Sequence, residues 1–471
     1  VLFPTLDFGV FFLVVFAVAW GLRSHLTGRK LFLVVASYFF YGYWDWRFCF
    51  LLAVSSLINY TAGMALARWE GDERMRKWVV GIAVALNLVI LGWFKYYGFF
   101  IQSLNDMLIS AGLERELPLF EIILPVGISF FTFQGISYVV DVYRRVIPAT
   151  PSLLNLLLYI SFFPQLVAGP IVRAQIFLPQ IEAPPRPDRI FASLGAVLVV
   201  VGLFKKVVIA NYLATEMVDI VFYDPFFYGT VDLLLAVWGY AVQIYCDFSA
   251  YSDIAIGVAL LLGFRFQKNF NQPYRAISIQ DFWRRWHISL SSWLRDYLYI
   301  PLGGSRVGPV KTYRNLLITM LLGGIWHGAA WTFVVWGALH GVGLALERAS
   351  GWARRAESAS LFGKAIAVVL VFHFVCLAWI FFRSTDFEYA WTYLVNLTDL
   401  GAPSEFARPF IIGLIVIGMS FHFVPHDTVE RTGRLLARVP LVLTGAIAGL
   451  AIALIDALGP EGVAPFIYFQ F

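Results

Sequence analysis

"GGIWHGAAWTFVVWGALHG", residues 323–341, is the stretch on which the reading of the fold turns. It is apolar enough for a hydrocarbon environment, yet it sets His327 between Trp326 and Gly328. An ionisable ring at membrane depth is costly and marks a functional site by default. The segment 312–347 around it is basic at both ends, so it returns to the side it left. A tight helical hairpin or a broken helix follows, with the break expected at Gly323, Gly324 and Gly328. Non-helical backbone at that depth is tolerated only where protein or a watery cavity satisfies its N–H and C=O groups. The stretch therefore belongs to the inside of a helical membrane protein.

The rest of the chain agrees. Its 471 residues are 60% hydrophobic and 14% charged, with a mean hydropathy of +0.74. That balance lies outside the range of soluble domains. Runs able to cross a hydrocarbon core of roughly 30 Å occur at 8–22, 51–67, 79–94 and 365–382. The first lacks the basic flank and small-residue cleavage site of a secretory signal and reads as a retained helix. Another run, 192–213, is interrupted by Lys205 and Lys206, which must snorkel, pair or face a cavity.

Basic connections at 23–30, 68–77, 144–189, 265–314, 348–364 and 426–438 alternate with weakly charged or acidic ones, including 106–116 and the tail after Asp456. Loops rich in Lys and Arg stay cytoplasmic, which orients the chain with both termini on the outer side and predicts about ten to twelve transmembrane helices. The expected fold class is an all-α polytopic membrane protein, with re-entrant and interfacial helices around a central funnel or tunnel. Residues 152–170 are too short and too broken by proline to span twice, and read as re-entrant. One domain over 1–471 is expected, with N-terminal helices in 1–118, a catalytic core in 119–346 and C-terminal helices in 347–471. Cys49, Cys246 and Cys376 lie far apart in apolar runs, so neither a disulfide framework nor metal-ligand spacing follows.

Residues 264–314 hold nine Lys or Arg against Asp281 and Asp296, a net of +7 where the whole chain has +5. On one continuous helix, Trp283, Trp286, Leu290, Trp293, Leu294 and Tyr297 fall on one face. Arg284, Arg285, Ser291, Ser292, Arg295 and Asp296 fall on the other. That describes an amphipathic interfacial helix with His287 on its apolar side. Arg284, Arg285 and Arg295 would suit either lipid headgroups or a polyanionic donor such as a nucleotide-bearing thioester.

Among the histidines, His327 stands apart, because Gly and Ala remove bulk around it while Trp326 and Trp331 supply walls. His340 reads as a partner of a neighbouring helix, His373 as core or lipid-facing, and His422 and His426 as interfacial caps. Asp247 and Asp253, in "QIYCDFSAYSDIAIG", sit at depth and each needs a cationic or hydroxyl partner; an ion pair to an arginine of the basic segment is the bland expectation. They could also orient a histidine. The chain has no HExxH, GxSxG or Walker pattern, so metal and serine-nucleophile chemistry have no motif behind them.

"FWRRWHISLSSWLRDYLYIPLGG", "RNLLITMLLGGIWHGAAWTFVVWGALHG", "YCDFSAYSDIAIG", "LPVGISFFTFQGISYVVDVYR" and "FFPQLVAGPIVR" together resemble the bacterial membrane-bound O-acyltransferases, in the branch of alginate and peptidoglycan acetylation. Cys246 and Ala250 stand where the family's blocks would have an aromatic residue and glycine, a departure that bears on local packing and not on the class. The resemblance implies an acyltransferase with no bound cofactor, taking acetyl-CoA or another acyl thioester as donor substrate from the cytoplasm. It assigns the two histidines of the WH blocks, His327 and His287, to catalysis; on the reading of the residues themselves, Trp326, Trp331, Asp247, Asp253 and Trp286 are expected to line or orient the tunnel. The resemblance also implies a bacterial inner membrane and a separate outer-side partner of the SGNH type, since this chain carries no such domain. The rival from another class is a transporter that moves an acyl donor or lipid-linked sugar without breaking bonds. It expects two related halves, and neither WH block has a second copy.

Overall fold

The computed structural model describes residues 3–113, 117–167, 169–401, 403–460 and 466. Both chain ends, and the parts of the acidic connection 106–116 and of the tail that fall at 114–116, 461–465 and 467–471, lie outside the described residues. The described residues are helical, with no strand among them.

Six helical stretches are long and apolar enough to cross a membrane: Arg47–Arg68, Glu73–Ser110, Arg189–Tyr223, Thr230–Leu261, Leu361–Arg383 and Leu441–Leu458. Leu6–Gly21 and Pro409–Ser420 are shorter apolar helices. Several starts are marked by a side-chain oxygen that takes the first unpaired backbone N–H groups. Asp72 accepts from Arg74 and Met75, Asp188 from Ile190 and Phe191, and Ser360 from Gly363. The run 192–213 continues through its two lysines by adopting a π-helix at Phe204–Ala210.

The chain forms two compact units. One comprises Val1–Pro187 with Leu262–Phe266 and holds the expected re-entrant stretch, whose helices Leu153–Ser161 and Phe163–Leu166 are largely buried. Protein groups satisfy the break between them. The Phe163 amide donates to Ser37 Oγ (3.1 Å), Gln165 Nε2 to the Tyr159 carbonyl (2.7 Å) and the Tyr159 hydroxyl to the Val172 carbonyl (3.1 Å). This is the condition that irregular backbone away from water must meet.

The other unit comprises Asp188–Leu261 and Gln267–Phe471 and contains every residue singled out above for catalysis or donor binding. Here the stretch that opened the sequence reading is a hairpin: Pro309–His327, a break at residues 328–330, then Trp331–Ser350. Gly323 and Gly324, expected at the break, lie inside the first helix. A Cβ on Gly324 would overlap the Phe333 carbonyl oxygen, so that position is given to close helix packing rather than to a turn.

The basic segment departs from its expected continuity. It folds as Ile279–Arg285, an extended Trp286, His287 in the left-handed region (φ 41°, ψ 56°), Ile288–Leu294 and a π-helix Arg295–Tyr299. The expected sorting survives the break. Trp283, Trp286, Leu290, Trp293 and Leu294 are buried, while Arg284 and Arg295 are exposed.

Candidate active site

His327 closes the Pro309–His327 helix and is 2% exposed. Aromatic rings surround its imidazole, among them Trp326 at 5.0 Å, Trp336 at 4.9 Å and Phe382 at 5.2 Å between centroids, each close to perpendicular. Trp331, expected as a wall, is 61% exposed. Trp336, five positions further along the returning helix, is fully buried beside the imidazole. Gly328 makes room for the Phe333 ring, which a Cβ there would strike, and Phe333 packs edge-on against Phe382 at 4.8 Å.

His287 reaches the same neighbourhood from the broken segment. Its ring lies 5.9 Å from Trp326, so the two histidines flank one indole. Phe248 of the Thr230–Leu261 helix packs on His287 at 4.6 Å. Asn269 holds it from the side: Asn269 Oδ1 lies 3.2 Å from His287 Nδ1 and accepts the Ser289 N–H (3.1 Å) and Ser289 Oγ–H (2.8 Å). The Asn269 carbonyl accepts the Ile288 N–H at 2.8 Å. These bonds compensate a left-handed residue that costs roughly 1–2 kcal/mol for a side chain other than glycine. His287 lies outside the six spanning stretches. Burial pushes its imidazole down to about 3, because enclosure disfavours the charged ring. It is neutral at physiological pH.

Trp286 is buried behind this pair, against Phe270 (5.1 Å) and Trp379 (5.2 Å). His340 accepts the Trp283 indole N–H at Nδ1 (3.3 Å), a helix-to-helix partnership. His422, expected as an interfacial cap, does reach the Met419 carbonyl with Nδ1 (3.3 Å), but it is fully buried between Tyr245 (4.3 Å) and Tyr274 (4.8 Å). His373 is exposed.

Asp247 and Asp253 have cationic partners, and these are lysines rather than the expected arginines. Lys206 Nζ lies 2.9 Å from Asp247 Oδ1, both side chains almost wholly buried, and Lys205 Nζ lies 2.6 Å from Asp253 Oδ2. The two interruptions of the run 192–213 thus answer the two carboxylates of the next helix.

Arg284 and Arg295 line a cleft of about 730 Å³ with Ser291, Ser292, Tyr299 and Tyr313. Arg348 and Arg354, which the sequence reading did not single out, also line it, and Arg295 pairs with Asp296 (2.7 Å). Arg285 is not in the lining and pairs instead with Asp281 (2.8 Å). Glu347 also reaches the cleft wall, but its carboxylate is engaged, accepting the Ile279 N–H (2.5 Å) and the Gln280 N–H (3.1 Å). It thereby caps the Ile279–Arg285 helix, leaving the cleft with a basic rim.

The family model described as MBOAT, membrane-bound O-acyltransferase family, matches residues 38–391. The chain belongs to the membrane-bound O-acyltransferase family. As a member it is an acyltransferase of the membrane, and the matched span includes both histidines and the cleft. It is 42% identical over 393 residues to a probable alginate O-acetylase of Pseudomonas aeruginosa, covering 82% of this chain and 74% of the relative. A probable alginate O-acetylase of Pseudomonas putida is 39% identical over 469 residues, 94% of each chain. A peptidoglycan O-acetyltransferase of Helicobacter pylori is 38% identical over 401 residues, 80% of this chain and 75% of the relative.

In this acyltransferase the sequence reading missed Trp336, Phe382, Asn269, Arg348 and Arg354. Trp336 lay within the opening stretch and needed only the hairpin's position to be found. Asn269 carries no charge and no motif spacing, so nothing local pointed to it.

Proposed function

We propose that this acyltransferase moves an acetyl group from acetyl-CoA, or a similar cytoplasmic thioester, to an acceptor hydroxyl on the outer side of a bacterial inner membrane, for acetylation of an alginate-like polymer or peptidoglycan. The names of its relatives support the acetyl group and the polysaccharide. The observation that carries the reading is the pairing of two buried imidazoles across Trp326.

A thioester is already activated, so the protein has to remove a proton from a hydroxyl and hold its oxygen against the acyl carbon. A neutral imidazole suits the first task. In the proposed step His327 takes the hydroxyl proton and the oxygen attacks the thioester carbonyl. The tetrahedral adduct then collapses, the C–S bond breaks, and the thiolate leaves with the proton that His327 returns. His287 positions or relays the proton. Trp326, Trp336 and Phe382 exclude water, which would otherwise hydrolyse the donor. The cleft bearing Arg284, Arg295, Arg348 and Arg354 supports a donor rich in phosphate, which guanidinium groups bind in a bidentate fashion. Final transfer to polymer falls to a separate outer-side partner of the SGNH type.

The test is release of CoA and transfer of label from radiolabelled acetyl-CoA by purified protein, with His327→Ala and His287→Ala compared at matched folding. Loss of turnover by at least about a hundredfold in His327→Ala is expected from removal of a general base. Equal activity in wild type and His327→Ala would make that residue structural. A transporter would release no CoA in detergent, where no second compartment exists.

A further inference from the structure

Asn269 is buried, uncharged and outside both WH blocks, yet it meets the His287 turn at His287, Ile288 and Ser289. The identity of its contacting atom follows from donor chemistry. The Ser289 backbone N–H can only donate, so the Asn269 atom 3.1 Å from it must be the oxygen. The amide nitrogen then lies on the other side and donates to Ser252 Oγ at 3.0 Å. An oxygen 3.2 Å from His287 Nδ1 requires the proton to sit on Nδ1. Ser289 Oγ, 3.4 Å from Nδ1 and donating its own proton to Asn269, also presents a lone pair there. Both neighbours therefore demand the same tautomer, and a neutral imidazole with its proton on Nδ1 carries its lone pair on Nε2.

We infer that Asn269 is a positioning residue that locks His287 as the Nδ1–H tautomer, so that Nε2 is the atom that accepts a proton during acyl transfer. The inference rests on the reading that His287 takes part in the reaction. It refines that reading, because an unclamped imidazole would divide between two tautomers and two ring flips, only one of which aims a base correctly. Asn269 does this without charge. The elements packed on His287 bring Phe248, Phe270 and Trp326 to its ring. The ionisable groups next along them are Asp247, held by Lys206 at 2.9 Å, Lys268, paired with Glu430 at 3.0 Å, and His327 on the other side of Trp326. On the ring's own segment, Arg285 is paired with Asp281.

The experiment compares Asn269→Asp, Asn269→Ala and His287→Ala with wild type, measuring kcat, KM for acetyl-CoA and the pH dependence of kcat/KM on purified protein of matched thermal stability. Asp keeps an oxygen for Ser289 N–H and for Nδ1–H but adds a negative charge beside the ring. It should retain turnover while displacing the acid limb of the profile upward by about 1–3 pH units, as a neighbouring opposite charge does. Asn269→Ala should lose kcat by about tenfold or more with KM for acetyl-CoA unchanged, the size seen when a partner that orients a histidine is removed. If Asp and Ala lower the rate equally at every pH and leave the profile in place, Asn269 only braces the turn and the inference is wrong. If His287→Ala turns over like wild type, the reading beneath it fails instead, whatever Asn269 does.

Discussion

For a single side chain the deciding quantity is the cost of charge away from water. Lys206 and Asp247 are each nearly sealed from solvent and 2.9 Å apart. Removing one partner of such a pair strands the other, at about 3–5 kcal/mol, whereas removing both leaves only a packing change. Lys206→Met should therefore lower the thermal midpoint in detergent sharply, and Lys206→Met with Asp247→Leu should recover most of the loss. A double variant no more stable than the single would show that the carboxylate has its main partner elsewhere. Lys205 and Lys206 were left to snorkel, pair or face a cavity, whereas the need for a partner was legible in the sequence for Asp247 and Asp253. Which residue met which was not, since that depends on two helices lying side by side at one depth. The abundance of arginine in the basic segment pointed to the wrong cation.

At the level of elements, the hairpin and the broken basic segment show what periodicity can carry. The two hairpin helices approach closely at Gly324, where a Cβ would meet the Phe333 carbonyl oxygen, whereas a Cβ on Gly323 meets only the end of the Leu294 side chain at 3.2 Å. Gly324→Ala should destabilise by about 1–3 kcal/mol, as overpacking does. Gly323→Ala should be neutral or slightly stabilising, because alanine is the better helix former by about 1 kcal/mol. Unfolding curves of the two variants check this directly, and equal effects would refute the packing role. Both glycines were read as one break because composition does not distinguish a glycine in a turn from one in a tight crossing. The amphipathic sorting of the basic segment was legible, although its helix is interrupted. The left-handed His287 was not, because its compensation comes from Asn269, eighteen positions earlier in the chain and in no periodic relation to it.

For the molecule as a whole, the cleft is the feature that tertiary structure assembles. Arg284 and Arg295 come from the broken segment, Arg348 from the end of the returning hairpin helix and Arg354 from the short helix Trp352–Ser358. If the four bind the phosphates of a nucleotide thioester, Arg348→Gln with Arg354→Gln should raise KM for acetyl-CoA by about tenfold or more, since hydrogen bonds to charged groups are worth about 1.5–3 kcal/mol each. The effect should shrink as salt rises. Turnover of acetyl-pantetheine, which lacks the nucleotide, should not change. A KM for acetyl-CoA that does not move would assign these arginines to lipid headgroups.

By itself the sequence determined the helical membrane class, the returning hairpin and the prominence of His327 at its end. Those follow from local composition: apolar length, basic flanks and the loss of side-chain bulk beside an ionisable ring. Tertiary structure alone decided the aromatic cage of Trp326, Trp336 and Phe382, the clamp of Asn269 on His287, the lysine partners of the two carboxylates and the four-arginine cleft. Each of these joins residues from separate elements, and the energy of a buried ring, hydrogen bond or ion pair depends on distances that no local pattern encodes.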